Sequence, residues 1–146
     1  MQRFRAPARR RAGALRDVKL LLDTHVLLWA LLEPQKLSPQ LRTALEDSDN
    51  TLVVSAATAW EIATKWRLGK LRHAQAVVEH YSIALNRLAA VELPISGAVA
   101  RQAGLWEVPH RDPFDRLLAA QAKADNLVLA STDSAFAQFE GVELFG

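Results

Sequence analysis

The chain has 146 residues and no cysteine, which excludes disulfide bonds, thiolate metal sites and thiol catalysis. It also lacks a hydrophobic run of about 20 residues, the length that crosses a bilayer. We therefore expect a soluble, cytoplasmic protein with no membrane contact. No internal repeat is present. Because half of the residues are hydrophobic, a single domain with a sizeable core is expected for a chain of this length.

Positive charge is concentrated at the start of the chain. Residues 1–17 contain six arginines and one aspartate, whereas the remainder carries 12 basic and 15 acidic side chains. The net charge of +2 therefore says little about a basic binding face on the domain. The arginine-rich segment is compatible with a nucleic-acid-binding arm, a targeting signal or a non-functional extension. We predict a disordered extension over 1–17 and one domain over 18–146.

Strands and helices are predicted to alternate along the chain. Short apolar runs predict strands at 20–22, 52–54, 91–93, 127–130 and 142–145. The intervening segments favour helices near 26–31 and over 38–46, 56–68, 74–90, 96–107 and 112–124. Because no hairpin turns join the strands, we expect an α/β fold, a three-layer α/β/α sandwich around a central parallel sheet.

Carboxylates recur where this topology would gather them. Asp23 directly follows the first strand, and Asp133 follows the strand at 127–130. Glu61 lies on the helix after the second strand, while Asp112 and Asp115 open the helix that leads to 127–130. The carboxyl ends of parallel strands share one edge, where open α/β sheets bind ligands. Converging carboxylates repel unless a cation neutralises them, and all-oxygen ligands suit Mg²⁺ or Mn²⁺. Such clusters commonly support phosphodiester hydrolysis by metal-activated water.

Each acid also has an ordinary structural interpretation. Asp112 and Asp115 are spaced as the N-cap and first turn of a helix, and Asp133 can cap the last helix. Glu61 and Lys65 are spaced i, i+4, as in a surface ion pair. Capping explains each acid singly, but it does not explain an acid at every element that meets the same edge.

Four segments of the chain resemble the PIN-domain ribonucleases, and among them the VapC-type toxins of bacterial toxin–antitoxin pairs. These segments are LLLDTHVLLWAL at 20–31, VVSAATAWEIATKWRLGKL at 53–71, HRDPFDRLLAAQA at 110–122 and LVLASTDSAF at 127–136. The resemblance implies a Mg²⁺-dependent (or Mn²⁺-dependent) endoribonuclease on an α/β/α fold. It also implies a homodimer that is inhibited by a cognate antitoxin protein.

The resemblance assigns roles to individual residues. The metal-binding and catalytic quartet is expected to be Asp23, Glu61, Asp115 and Asp133. Asp112 is either a further metal ligand or a helix cap. Hydroxyl residues beside the acids are expected to support them, although they can equally be plain helix caps: Thr24, Ser55 and Thr132.

Other side chains near these motifs are candidates for contact with RNA or a partner. His110 and Arg111 can meet RNA phosphates or be solvated loop residues. Lys65 and Lys70 can form a phosphate-binding rim or complement the helix dipole. A partner surface is expected around two tryptophans and two leucines: Trp60, Trp66, Leu37 and Leu41.

Two other functions compete with the nuclease hypothesis. A non-catalytic protein-binding module would use its acids only as caps and would not be stabilised by divalent ions. A phosphoryl-acceptor domain of receiver type also carries carboxylates at strand ends. The chain, however, has no adjacent acidic pair after the first strand, which disfavours the receiver hypothesis.

Overall fold

The computed structural model describes residues 17–146, so the predicted extension lies outside the described residues except for Asp17. Five strands form one parallel sheet in the order β3-β2-β1-β4-β5. Their bounds are β1 (Lys19–Leu22), β2 (Thr51–Ser55), β3 (Val91–Leu93), β4 (Val128–Ala130) and β5 (Glu143–Phe145). The chain moves outward from β1 to β3 and then crosses to the other side of β1. Connections therefore diverge between β1 and β4, the place where such sheets bind ligands.

Helices cover the sheet between the strands. Their bounds are α1 (Thr24–Leu32), α2 (Pro39–Glu46), α3 (Ala56–Arg67), α4 (Gln75–Glu79), α5 (Tyr81–Arg87), α6 (Gly97–Leu105) and α7 (Pro113–Asp125). Short 3₁₀ turns occupy Pro34–Lys36, Arg72–Ala74 and Ser134–Gln138. Within residues 17–146, no helix has the length and apolar character needed to cross a membrane. The predicted α/β/α sandwich on a parallel sheet is confirmed.

The two faces of the sheet bury separate apolar layers because successive strand residues point in opposite directions. Leu20 and Leu22 of β1 pack into the larger layer, which receives α1, α2, α4 and α5. Leu21 points to the other face and packs beneath α7, where it meets Leu118 and Phe136. Burial on both faces explains the continuous leucine run in β1.

Local sequence signals set most helix ends. Ser38 caps α2 by accepting a hydrogen bond from the Leu41 N–H, and Pro39 occupies the first helical position. Gly69 follows α3 with a φ of 79°, a left-handed conformation that costs glycine little. Asn126 ends α7 in the same region, at φ 55°.

The single helix predicted over 74–90 is wrong. The backbone breaks at His80, with φ −128° and ψ 49°, and two short helices result. No glycine or proline marks this break. The break allows Val77 of α4 and Leu85 of α5 to reach the same apolar layer, so tertiary packing overrides the continuous helical pattern.

The surface expected around four apolar residues is only partly present. Leu41 is fully buried and Leu37 nearly so, because α2 packs onto the larger layer. These two leucines are therefore core residues. Trp60 is 58% exposed, and Trp66 is half-buried.

Candidate functional site

A pocket of about 120 Å³ lies beyond the carboxyl ends of β1 and β4. Five carboxylates from separate parts of the chain line it: Asp23, Glu61, Asp112, Asp115 and Asp133. The remaining lining residues are Thr24, His25, Lys65 and Phe136. Parallel strand topology thus brings together acids that are more than 100 residues apart in the sequence.

Asp23 forms the floor of this carboxylate pocket. It is only 6% exposed, and its Oδ1 accepts a hydrogen bond from the Val26 N–H, 2.8 Å away, at the start of α1. Burial raises the pKa of Asp23 above its ordinary value, and the charge of Glu61 acts in the same direction. Hydrogen bonds from Ser131 and from the Val26 N–H oppose that rise, as does the charge of His25. Asp23 is therefore a buried carboxylate whose charge is incompletely compensated.

Glu61 is held between a hydroxyl and an ammonium group. It lies on the inner face of α3 and is 4% exposed. The Thr24 hydroxyl donates to Oε1 at 2.5 Å, and Lys65 Nζ donates to Oε2 at 2.5 Å. Burial acts to lower the pKa of Lys65, but the hydrogen bond and charge of Glu61, with the charges of Asp112 and Asp115, raise it above its ordinary value.

The N-terminus of α7 contributes two acids that have different hydrogen-bond partners. Asp112 is the N-cap, and its Oδ1 accepts hydrogen bonds from the N–H groups of Phe114 and Asp115 at 2.9 and 3.4 Å. The Asp115 carboxylate is joined by His110, whose Nε2 lies 2.8 Å from Oδ2. Burial raises the pKa of Asp115 to about 6, with further increases from the charges of Asp112 and Glu61 and opposition from His110. Asp112 thus lines the pocket and caps the helix at once.

The segment after β4 provides a serine that sequence analysis missed. Ser131 is 5% exposed and donates a side-chain hydrogen bond to Asp23, while its Oγ accepts from the Asp133 N–H at 3.0 Å. Asp133 is exposed and caps the following 3₁₀ turn through the Ala135 N–H. Because Thr132 is exposed, Ser131 is the hydroxyl residue that supports this edge of the pocket. The sequence did contain one signal for Ser131, since this residue directly follows β4.

Arg116 was also missed, although it organises the loop between α6 and α7. Its guanidinium group donates to five backbone carbonyls, those of Ala103, Gly104, Trp106, Val108 and His110. The first three belong to the end of α6, and the last belongs to the residue that bonds Asp115. Arg116 therefore ties the position of His110 to the end of α6.

The remaining predicted residues lie around the pocket or away from it. Among the described lining residues, neither Ser55 nor Thr132 is present. Ser55 is fully buried and caps α3 through the Ala57 N–H. Lys70 and Arg111 are exposed and outside the lining, whereas Lys65 lies inside it.

The pocket has the donor chemistry for a divalent cation, but two of its carboxylates already form hydrogen bonds or ion pairs with neighbouring side chains. Within residues 17–146, no three His, Asp or Glu side chains are arranged to hold a metal ion. Glu61 faces Thr24 and Lys65, and Asp115 faces His110. All five acids nevertheless offer oxygen donors, and burial penalises the ionised forms of Asp23 and Asp115. A hard divalent cation fits this donor set, provided that some of these contacts are exchanged.

The fold is similar to those of solved VapBC and FitAcB structures. For VapBC2 from Rickettsia felis bound to a promoter DNA fragment, the TM-score is 0.65 at 18% identity, covering 88% of this chain and 98% of that chain. For DNA-bound VapBC from Salmonella typhimurium, the TM-score is 0.61 at 17% identity, and the match covers 88% of this chain and 97% of that chain. For FitAcB from Neisseria gonorrhoeae, the TM-score is 0.56 at 24% identity, and the match covers 87% of this chain and 96% of that chain. At these identities the likeness concerns the fold.

A comparison with curated proteins finds no significant match. The PIN domain family profile, in contrast, matches residues 20–142. That range includes all five pocket acids and nearly the whole described structure. The resemblance noted in the sequence is confirmed at the level of the family: the chain belongs to the PIN domain family.

Proposed function

We propose that this protein is a Mg²⁺- or Mn²⁺-dependent endoribonuclease and the toxin of a VapBC-type toxin–antitoxin pair. The observation that carries the proposal is the convergence of five carboxylates in one pocket of a PIN domain. Nothing in capping requires five separate acids to share a pocket. The metal-holding residues in this proposal are Asp23, Glu61, Asp115 and Asp133, with Asp112 as a further ligand or as the cap alone.

A bound divalent cation supplies an acidified water and stabilises developing negative charge on phosphate oxygens. The chain's own residues do the positioning. Thr24 and Ser131 hold the Glu61 and Asp23 carboxylates, and His110 holds Asp115. Exposed basic side chains outside the pocket lining would bind the RNA backbone, with Lys70 and Arg111 as the proposed contacts. His110 and Lys65 were also candidates for RNA contact, but each contacts a pocket acid: His110 contacts Asp115 and Lys65 contacts Glu61.

RNA cleavage by the purified full chain tests the nuclease proposal. We expect cleavage with Mg²⁺, no cleavage with EDTA, and a loss on the order of 100-fold in Asp23→Asn, because mutation of even the outer-shell partners of metal ligands typically costs about 10- to 100-fold. Asparagine is also a good N-cap, so this variant retains the start of α1. Glu79→Gln removes an exposed carboxylate outside the pocket and is the matched control. Metal-independent cleavage, or full activity in Asp23→Asn, would contradict the proposed role of the carboxylate pocket. No cleavage, together with no rise in melting temperature on adding Mg²⁺, would favour the non-catalytic binding module.

The toxin role also has a test in cells. We expect induced expression of the chain to arrest bacterial growth and Asp23→Asn to relieve the arrest. Continued growth with the wild-type chain, despite metal-dependent RNA cleavage in vitro, would leave the nuclease without the toxin role.

The antitoxin is proposed to bind an apolar groove of about 340 Å³ formed by the end of α1 with α4 and α5. Ile83 borders this groove and is 60% exposed. The solved structures to which the fold is similar include VapBC2 and VapBC bound to DNA, and this likeness supports the proposal of a VapB-like partner. Co-expression of a cognate antitoxin should relieve growth arrest by the wild type but not by Ile83→Asp, because a charge in an apolar interface is costly.

A homodimer is proposed as the assembly. Trp60 is 58% exposed and packs edge-on against Phe114, with ring centroids 4.8 Å apart. Such an aromatic pair is a suitable anchor for a second copy. Light scattering should show a dimer for the wild type and a shift toward monomer for Trp60→Ser. A monomeric wild-type protein would contradict this assembly.

A further inference from the structure

The ammonium group of Lys65 lies inside the carboxylate pocket. Its side chain is 31% exposed, whereas the side chain of its partner Glu61 is 5% exposed. Lys65 is also the only lysine or arginine among the described lining residues of the pocket. The lysine therefore reaches inward from the rim and places one positive charge among five carboxylates.

Both oxygens of Glu61 already have donors. Oε1 accepts from the Thr24 hydroxyl, and Oε2 accepts from Lys65 Nζ, each at 2.5 Å. A divalent cation on the same carboxylate would lie within a few ångströms of the ammonium group. Like charges at that separation in a partly buried site repel strongly, because little water screens them.

Of the two donors, Lys65 is the one that can leave. Thr24 is 5% exposed in the first turn of α1, where its short side chain has little freedom. Lys65 is partly exposed and carries a flexible four-carbon stem, which can move the ammonium group to solvent.

We propose that Lys65 is a built-in counter-ion that competes with a divalent cation for Glu61 and thereby weakens metal binding. The inference rests on the proposed metal-dependent function. In the metal-free protein, Lys65 compensates the buried charge of Glu61. When a cation binds, Lys65 releases Glu61 and moves toward the rim of the pocket. The affinity for the metal is then set partly by the loss of this ion pair.

An ordinary helix ion pair elsewhere in the chain provides the comparison. Arg42 and Glu46 are also four residues apart on one helix, with Nε and Oε2 at 3.3 Å. Their side chains are 51% and 69% exposed, so water compensates either charge when the other is removed. Glu61 is buried, so water cannot compensate its charge when Lys65 is removed. The uncompensated carboxylate is then expected to bind a cation more tightly.

Isothermal titration of the purified full chain with Mn²⁺ tests the proposal. We expect Lys65→Met to bind Mn²⁺ at least tenfold more tightly than the wild type, a change equal to about 1.4 kcal/mol. The metal-free melting temperature of Lys65→Met should be lower, and the rise on adding Mn²⁺ should be larger. Lys65→Arg retains the charge and should bind Mn²⁺ nearly as the wild type does. Arg42→Met is the matched control and should change neither quantity.

The outcomes separate this inference from the proposed function. If the wild type binds Mn²⁺ and cleaves RNA but Lys65→Met binds no more tightly, Lys65 is not a competitor and only the inference is overturned. Tighter binding by Lys65→Met with no RNA cleavage by the wild type supports the counter-ion but overturns the nuclease. If no variant binds Mn²⁺, both are overturned. Should Lys65→Met fail to fold, Lys65→Gln removes the charge while keeping a donor, and the same tenfold criterion applies.

Discussion

The Nε2 atom of His110 lies 2.8 Å from Oδ2 of Asp115, so a loop residue before α7 contacts an acid in the first turn of that helix. Despite this contact, burial raises the pKa of Asp115 to about 6. The pocket therefore holds Asp115 at an energetic cost whenever the carboxyl group is ionised and no cation is bound. That cost gives the first prediction.

Asp115→Asn should stabilise the metal-free protein at neutral pH. The pKa of Asp115 is higher in the folded chain than its ordinary value of 3.8, so the folded state binds the proton more tightly. The favourable contribution of Asp115 to the free energy of unfolding is fully present below about pH 4, and it is lost as the pH rises through about 6. Asparagine stays neutral, and we expect a gain on the order of 1–3 kcal/mol in the free energy of unfolding at pH 7.5.

Denaturant unfolding in EDTA at pH 4.5 and pH 7.5 checks this expectation. The difference between Asp115→Asn and the wild type should be small at pH 4.5, where most of the Asp115 population is protonated. Equal stabilisation at both pH values would contradict an ionisation origin, and so would destabilisation at pH 7.5.

Arg116→Lys should destabilise the fold although it preserves the charge. The planar guanidinium group serves five carbonyls across the α6–α7 loop, and an ammonium group cannot reproduce that geometry. Losing several of these hydrogen bonds should cost about 2–4 kcal/mol. Because His110 is one of the anchored residues, the stabilisation by Mn²⁺ should also fall. Urea unfolding with and without Mn²⁺ measures both effects, and exposed Arg42→Lys is the control. Wild-type stability in Arg116→Lys would show that the carbonyl contacts contribute little.

Much of the pocket followed from the sequence because strand ends and parallel topology are readable locally. A continuous apolar run predicts a buried strand, and the residue after it must lie at the carboxyl edge, as Asp23 does. Sequence spacing also identified the pair of Glu61 and Lys65 correctly. It could not show that Glu61 is buried, because burial depends on how α7 and α1 close the pocket.

Arg116 could not have been found in the same way. Its partners are backbone carbonyls, which every residue possesses and which therefore leave no trace in residue types. The break at His80 is similar, since packing of α4 and α5 against the sheet decides it and no glycine or proline announces it. Contacts between side chains of opposite charge are readable at fixed spacing, whereas contacts to backbone and bends imposed by packing are not.

Ser131→Ala should destabilise the protein through Asp23. The serine hydroxyl favours the ionised form of a carboxylate that burial disfavours, so its loss raises the pKa of Asp23 further. Because ionised Asp23 then has one donor fewer, we expect a loss of about 1 kcal/mol in the free energy of unfolding at neutral pH. The effect should shrink in an Asp23→Asn background, because that variant has no charge to support. Thr132→Ala alters the exposed neighbouring hydroxyl and should change stability little. A loss of equal size in both backgrounds would assign the effect to packing.

Thr24→Val should leave one oxygen of Glu61 without its donor while preserving side-chain shape. Glu61 is 4% exposed, so water cannot readily replace the hydroxyl group. A buried charged acceptor that loses a partner should cost about 1–3 kcal/mol in the free energy of unfolding. Thr24→Ser keeps the hydroxyl and should retain most of the stability, which separates the hydrogen bond from the methyl packing. The loss should become smaller in Glu61→Gln, since the acceptor is then neutral. Unfolding of the wild type, Thr24→Val, Glu61→Gln and the double variant in EDTA measures this coupling. An undiminished loss in the Glu61→Gln background would show that Thr24 stabilises α1 independently of the carboxylate pocket.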